Sequence, residues 1–178
     1  MAVRPPEDVL DAVAAVVAAG RVAGDGLRWI ERDHWHLTLQ FLGPVPRLAP
    51  VVGGLAAAAG ERAAFPFRIG GPGAFPNPRR ARVVWIGAQS GGAALAGLAG
   101  AVAAALGPLG HEADRGFRPH LTVARLKVPA DVGAVLTALG PEVVGPAFTV
   151  GEVLLFESRL SSRGPAYSVL ERFPLRNA

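Results

Sequence analysis

A histidine and a threonine two residues apart occur twice in this chain, as His36-Leu37-Thr38-Leu39 and as His120-Leu121-Thr122-Val123. Each copy lies in an alternating apolar stretch that reads as a β-strand, where side chains take opposite faces with a period of two. His36 and Thr38 then share one face, as do His120 and Thr122, while Leu37, Leu39, Leu121 and Val123 turn into a core. Two such strands place two imidazoles across one groove. A neutral imidazole can take a proton from a nucleophile, and an imidazolium can give one to a leaving alkoxide. Hydroxyls on the same face can donate to the non-bridging oxygens of a phosphorane-like transition state, where charge collects. The chemistry indicated is cleavage of a phosphate ester without need of a metal. His36 and His120 are the candidate acid and base, and Thr38 and Thr122 the candidate phosphate donors.

The elements that must hold these residues follow from punctuation and periodicity. Pro5-Pro6-Glu7-Asp8 reads as a helix start, with acids at the positive end of the dipole. Val9, Val13, Val16 and Val17 continue it as an apolar stripe, and Gly20 is expected to end it. Strands are expected at 27–30, 35–42, 65–70, 82–88, 118–126, 148–156 and 167–173, helices at 47–59, 93–106 and 129–139, and a loop at 71–80. The helix at 129–139 is expected to close at Gly140-Pro141. The segment before Pro5 is too short for a full strand, so either that strand is abbreviated or the native start lies upstream of Met1.

The pattern repeats. The two histidines lie 84 residues apart, Phe67 and Phe148 81 apart, Phe75 and Phe156 81 apart, and the strands around Trp85 and Val169 84 apart. Near-constant offsets point to duplication of one βαβ-type unit. The expected architecture is α+β: a single domain over 1–178, made of two pseudo-symmetric lobes of antiparallel sheet with outer helices and an active-site groove between them.

Composition bounds the rest. The chain has 178 residues, 51% of them hydrophobic, enough to bury a core. Cysteine is absent, which excludes disulfides and thiolate metal sites and makes a reducing cytoplasm the expected location. The net charge of +4 favours anionic partners. The apolar run 13–19 follows acids rather than a basic segment, unlike a signal peptide. The stretch 93–106 falls short of the roughly 18 residues of a membrane span, so no membrane association is expected. No obligate protein partner is evident.

The segments Trp29-Ile30, His36-Leu37-Thr38-Leu39-Gln40-Phe41-Leu42-Gly43 and Phe117-Arg118-Pro119-His120-Leu121-Thr122-Val123-Ala124-Arg125 closely resemble the two-histidine (2H) phosphoesterases. Within them the chain looks most like the RNA 2′,3′-cyclic phosphodiesterases, also called 2′-5′ RNA ligases. Further likeness lies in 75–85, in 155–160 and in Gly164-Pro165-Ala166-Tyr167. The resemblance implies that His36 and His120 are catalytic, that Thr38 and Thr122 bind phosphate, and that Arg125 contacts phosphate or nucleotide. It implies hydrolysis of a terminal 2′,3′-cyclic phosphate on RNA or a nucleotide to a 2′-phosphate, with no cofactor and no metal. The reverse reaction would join a 5′-hydroxyl through a 2′-5′ linkage. His36 as acid and His120 as base is the preferred assignment, although pseudo-symmetry leaves it open. An RNA-end binder without turnover and a sister cyclic phosphodiesterase are the alternatives.

Other residues carry weaker signals. His34 and His36 form a His-x-His, but carboxylates do not cluster around them as a metal site requires. His111 follows Gly110 in a turn and is expected in solvent. Arg79, Arg80 and Arg82 are either a solvated face or an RNA-backbone contact. Arg118 either shares the groove with His120 or pairs with Glu112 or Asp114. Phe75 and Trp85 are candidates for stacking on a base, with Trp85 expected in the core. Phe41 is expected in the core by parity, and Tyr167 at the groove rim. The run Gly70-Gly71-Pro72-Gly73 lacks the Lys and Ser/Thr of a nucleotide-binding loop, which argues against ATP use.

Overall fold

The structure, a computed structural model, describes residues 1–24, 26–111, 116–140, 144–161 and 164–177; for residues 160, 161 and 164–166 it describes the backbone. In chain order the elements are β1 (Ala2–Val3), α1 (Glu7–Ala23), β2 (Arg28–Trp29), β3 (Leu37–Thr38), α2 (Leu48–Gly60), β4 (Phe65–Phe75), β5 (Ala81–Ser90), α3 (Gly92–Leu106), β6 (Leu121–Ala130), α4 (Gly133–Leu139), β7 (Val144–Val150), β8 (Glu152–Ser161) and β9 (Gly164–Pro174).

The strands form one antiparallel sheet in the order β7-β4-β5-β6-β3-β1-β8-β9, with β2 paired to β6 off this path. The two lobes are thus the halves of one sheet. They meet at β3 and β6, where Leu37 pairs with Leu121. The run β1-α1-β3-α2-β4 is repeated by β5-α3-β6-α4 and the β7–β8 segment. In each half the motif strand has a flanking strand beside it, β5 beside β6 and β1 beside β3. The helices obey the same symmetry: α1 packs on α4 and α2 on α3.

The α+β class stands, and the structure redraws several boundaries. The partner of the Trp85 strand in the repeat is β1, not β9, because β1 occupies the place beside β3 that β5 holds beside β6. β1, two residues long, is hydrogen-bonded between β3 and β8. The first motif strand is confined to Leu37–Thr38 because the chain bends at Leu39. Gln40 there turns inward and its amide donates to the His111 carbonyl (3.0 Å). β4 runs on to Phe75, taking the first half of the segment expected as a loop and absorbing Gly70 and Gly71 in a bulge against β5. β6 continues to Ala130, pairing with Ala81, so α4 starts only at Gly133. The strand expected over 148–156 is two strands, broken at Gly151.

Gly20 does not end α1. It sits inside the helix at its contact with α4, and a Cβ there would lie 2.7 Å from a Leu139 methyl and 3.0 Å from Trp29. Glycine is needed for close approach rather than termination. The apolar stretch around α3 is longer than expected: with the 3-10 turn after it, Gly92–Leu109 has 18 residues and the hydropathy of a membrane span. Leu95, Leu98, Val102 and Leu106 on this helix are nevertheless buried in the core, on the one face that helical spacing gives them.

Candidate active site

The pair Leu37–Leu121 sets the site. Both leucines are fully buried on the core face, so their strand neighbours must emerge on the opposite face. In antiparallel register this sets Thr38 across from His120 and His36 across from Thr122. All four are half-buried and line one cavity of about 650 Å³. The two motifs, far apart in sequence, therefore share one cleft.

Each imidazole is held in the same way. His36 Nδ1 lies 2.8 Å from the His34 carbonyl oxygen, and His120 Nδ1 lies 2.7 Å from the Arg118 carbonyl oxygen. A carbonyl only accepts, so each Nδ1 must donate, which leaves Nε2 of the neutral ring as the free base. The turn Arg32–His34 that supplies the first carbonyl is tied to α1 by Arg32, whose guanidinium reaches Glu7 (2.6 Å) and Asp11 (2.5 Å).

Aromatic rings wall both histidines. Phe75 stands edge-on to His120 (centroids 5.0 Å apart), with Trp85 at 6.2 Å. Phe156 lies 5.7 Å from His36 and Tyr167 5.4 Å. Phe75 and Phe156 are the repeat-matched pair, and each does the same work for its own histidine. Burial among these rings disfavours the imidazolium. It lowers the His36 pKa to about 4, with the His34 carbonyl opposing and nearby positive charge, Arg125 included, assisting. Burial likewise lowers the pKa of His120, against the Arg118 carbonyl and with help from Arg125 and Arg118. An anion held in the cavity would oppose this penalty by supplying a counter-charge.

Arg125 lines the same cavity, and it gets there by an irregularity. Strict alternation from His120 and Thr122 would give Ala124 the groove face and send Arg125 to the core. A bulge in the β5–β6 ladder changes this: Trp85 pairs with Thr122 but Val84 pairs with Ala124. Val123 and Ala124 are both buried, and Arg125 emerges exposed. β2 braces the bulge, since the Ile30 amide donates to the Val123 carbonyl (2.8 Å) and Trp29 pairs with Ala124. An extra residue in one strand is a recurrent way to re-aim a functional side chain.

Over residues 5–161 the sequence matches the model of a family described as the 2′-5′ RNA ligase superfamily. The chain belongs to this superfamily. Among its relatives, a protein of Archaeoglobus fulgidus called RNA 2′,3′-cyclic phosphodiesterase is 37% identical over 153 residues, covering 83% of this chain and 84% of the relative. A protein of the same description from Aeropyrum pernix is 34% identical over 153 residues, covering 83% and 85%. Among solved structures, TT0787 of Thermus thermophilus superposes with a TM-score of 0.84 at 33% identity, covering 99% of this chain and 96% of that one. LigT of E. coli, crystallised with 3′-AMP, has the same fold: TM-score 0.76 at 23% identity, covering 98% and 95%.

The five residues singled out in this superfamily member, His36, Thr38, His120, Thr122 and Arg125, all line the cavity. Tyr167 stands at the rim as expected, and Trp85 is buried. Phe41 is a correction: it is 77% exposed at the cavity mouth, because the bend at Leu39 ends the alternation on which its placement rested. Arg118 is another. Its guanidinium lies over the Trp85 ring (5.4 Å), outside the His36–His120 cavity, beside a separate shallow crevice. Its alternative partners Glu112 and Asp114 lie outside the described residues, as does Pro141. His111 is half-buried rather than solvent-facing. Arg79, Arg80 and Arg82 are exposed and do not line the cavity. His34 does line it, edge-on to Tyr167 (5.2 Å). Arg28, Glu31 and Ser158 also line it, and sequence reasoning missed all three. Arg28 had a signal, since it directly precedes the quoted Trp29-Ile30.

Proposed function

We propose that this protein is an RNA 2′,3′-cyclic phosphodiesterase that hydrolyses a terminal 2′,3′-cyclic phosphate to a 2′-phosphate by histidine acid–base catalysis. The observation that carries this reading is the pair of imidazoles, each pinned through Nδ1 to the carbonyl two residues earlier, in one cavity with both threonines. One Nε2 takes a proton from water as the oxygen attacks phosphorus. The other, protonated, gives its proton to the departing 3′ oxygen. Thr38 and Thr122 donate to the non-bridging oxygens, and Arg125 balances the charge that grows on them. Every proton in this scheme moves on a side chain of the protein, so a metal is not required.

Burial lowers the pKa of both imidazoles, His36 to about 4, so both rings are neutral in the free protein at pH 7 and one must gain its proton when the anionic substrate binds. The pH profiles of the single-histidine variants assign which of the two is the acid. By microscopic reversibility the same groups would serve the joining of a 5′-hydroxyl through a 2′-5′ linkage. We propose that the whole span acts as one domain, in the cytoplasm, on RNA or nucleotide ends.

The test is release of 2′-phosphate from a nucleoside 2′,3′-cyclic phosphate in the presence of EDTA. Wild-type turnover together with loss of roughly a hundredfold or more in His36→Ala and in His120→Ala is expected. Dependence on added metal, full activity in either variant, or tight binding without turnover would each overturn the reading. A phosphate left on another oxygen would assign a sister activity.

A further inference from the structure

β2 stands off the sheet's main path and lies alongside β6 with Arg28 directly opposite Arg125. Like charges facing each other across an antiparallel pair are unfavourable, because their Cβ atoms stand only about 5 Å apart. Such pairs are normally relieved by carboxylates. Here neither arginine has a carboxylate within ion-pair distance among the described residues, and Glu31, three residues after Arg28, sits at 4.0 Å from Arg21 instead. Both arginines line the cavity that holds the two histidines. Both are exposed, so an incoming anion can reach them.

One cyclic phosphate monoanion at the histidines needs one cation, and Arg125 already answers it. Arg125 lowers the pKa of both histidines, which places its charge near the reacting centre. Arg28 is one strand farther out and is not among the groups that shift either histidine. It marks a second anion position, a short step from the first. In an RNA end, the group at that step is the phosphodiester on the 5′ side of the terminal nucleotide. Arginine suits it through bidentate donation to phosphate oxygens.

We propose that Arg28 binds the phosphodiester immediately 5′ to the terminal nucleotide, so that the cavity prefers the end of an RNA strand to a cyclic mononucleotide. This deepens the phosphodiesterase reading and rests on it. The β2–β6 pairing then has two roles: it supports the bulge that aims Arg125, and it presents the second cation at a fixed spacing.

The experiment compares Arg28→Ala and Arg28→Lys with wild type on two substrates. One is a nucleoside 2′,3′-cyclic phosphate, which has no 5′ phosphodiester. The other is a short oligoribonucleotide ending in the same nucleoside 2′,3′-cyclic phosphate. For Arg28→Ala the ratio of kcat/KM, oligonucleotide over mononucleotide, should fall about tenfold, chiefly through KM on the oligonucleotide. Arg28→Lys should recover part of it, since charge returns without the fork. The slope of log KM against log salt for the oligonucleotide should also drop by about one in Arg28→Ala. A purely structural role would move both substrates together. An unchanged ratio, whether both activities fall or neither does, overturns the proposal. Failure of wild type to turn over either substrate would overturn the phosphodiesterase reading instead, so the two outcomes are separable.

Discussion

Leu37 and Leu121 face each other across the ladder pair that joins the two halves of the sheet, and both are fully buried. Through this apolar contact the histidine and threonine of each strand take up their positions opposite those of the other. Packing on one face therefore sets the chemistry on the other. Leu121→Ala should cost about 2–5 kcal/mol, read by urea denaturation. It should also lower kcat per folded molecule, because the strands lose the contact that registers them. Destabilisation with unchanged kcat would show that the register is held elsewhere.

The threonines should matter for rate rather than for folding. Thr38→Val and Thr122→Val keep the branched shape on a strand and remove the hydroxyl. Each should reduce kcat by roughly ten- to a hundredfold, with a melting temperature close to wild type. Neither hydroxyl makes a hydrogen bond to another described residue that the fold would forfeit. A change in KM alone, with kcat intact, would contradict a transition-state role.

His36 predicts a pH dependence of stability. Its pKa is lowered from 6.5 to about 4 on folding, first of all by burial. The unfolded chain therefore binds the proton more readily than the folded one. The neutral ring's contribution is fully present above pH 6.5 and is lost as the pH falls from 6.5 towards 4. Free energies of unfolding measured across that range should decline by up to roughly 3 kcal/mol, and His36→Gln should flatten the decline. An equally steep slope in the variant would locate the titration in another group.

The rate should show a bell-shaped dependence on pH, since one imidazole must be neutral while the other is charged. If His36 is the base, the acidic limb belongs chiefly to it and should be the limb altered in His36→Gln residual activity. A profile flat from about pH 5 to pH 9 in single-turnover experiments would speak against paired histidines.

Gly73 lies against Trp85, and an added Cβ there would come within 2.2 Å of the indole. Trp85 in turn stands 6.2 Å from His120 and pairs with Thr122 on the adjacent strand. Gly73→Ala should therefore destabilise the fold by about 1–3 kcal/mol. It should also displace the wall behind His120, which a changed His120 ring resonance would report. Tolerance of the substitution without loss of stability or activity would mean that the indole moves freely.

Much of the site was legible in the sequence because strand parity is a local property. The half-buried and buried positions alternate from His34 to Leu39, so a period of two read from one strand identifies the groove face correctly. The matched phenylalanines Phe75 and Phe156 also carried true information: each packs on the histidine of its own half. The same reasoning failed wherever alternation is broken by contacts made far away in the chain. Phe41 leaves the core because the strand bends where the buried Gln40 amide bonds to the His111 carbonyl. Gly20 was misread as a stop because the reason for it, the Leu139 side chain, lies on another helix.

By itself the sequence determined which residues could act, their facing on each strand, the duplication and the α+β class. These depend on residue type and on short-range periodicity, which the covalent chain carries with it. Tertiary structure alone decided that Leu37 meets Leu121, that a bulge braced by β2 turns Arg125 into the cavity, and that Arg28 stands beside it. Those facts depend on which strands pair and in what register, and register is fixed by burial summed over the whole sheet rather than by any one segment.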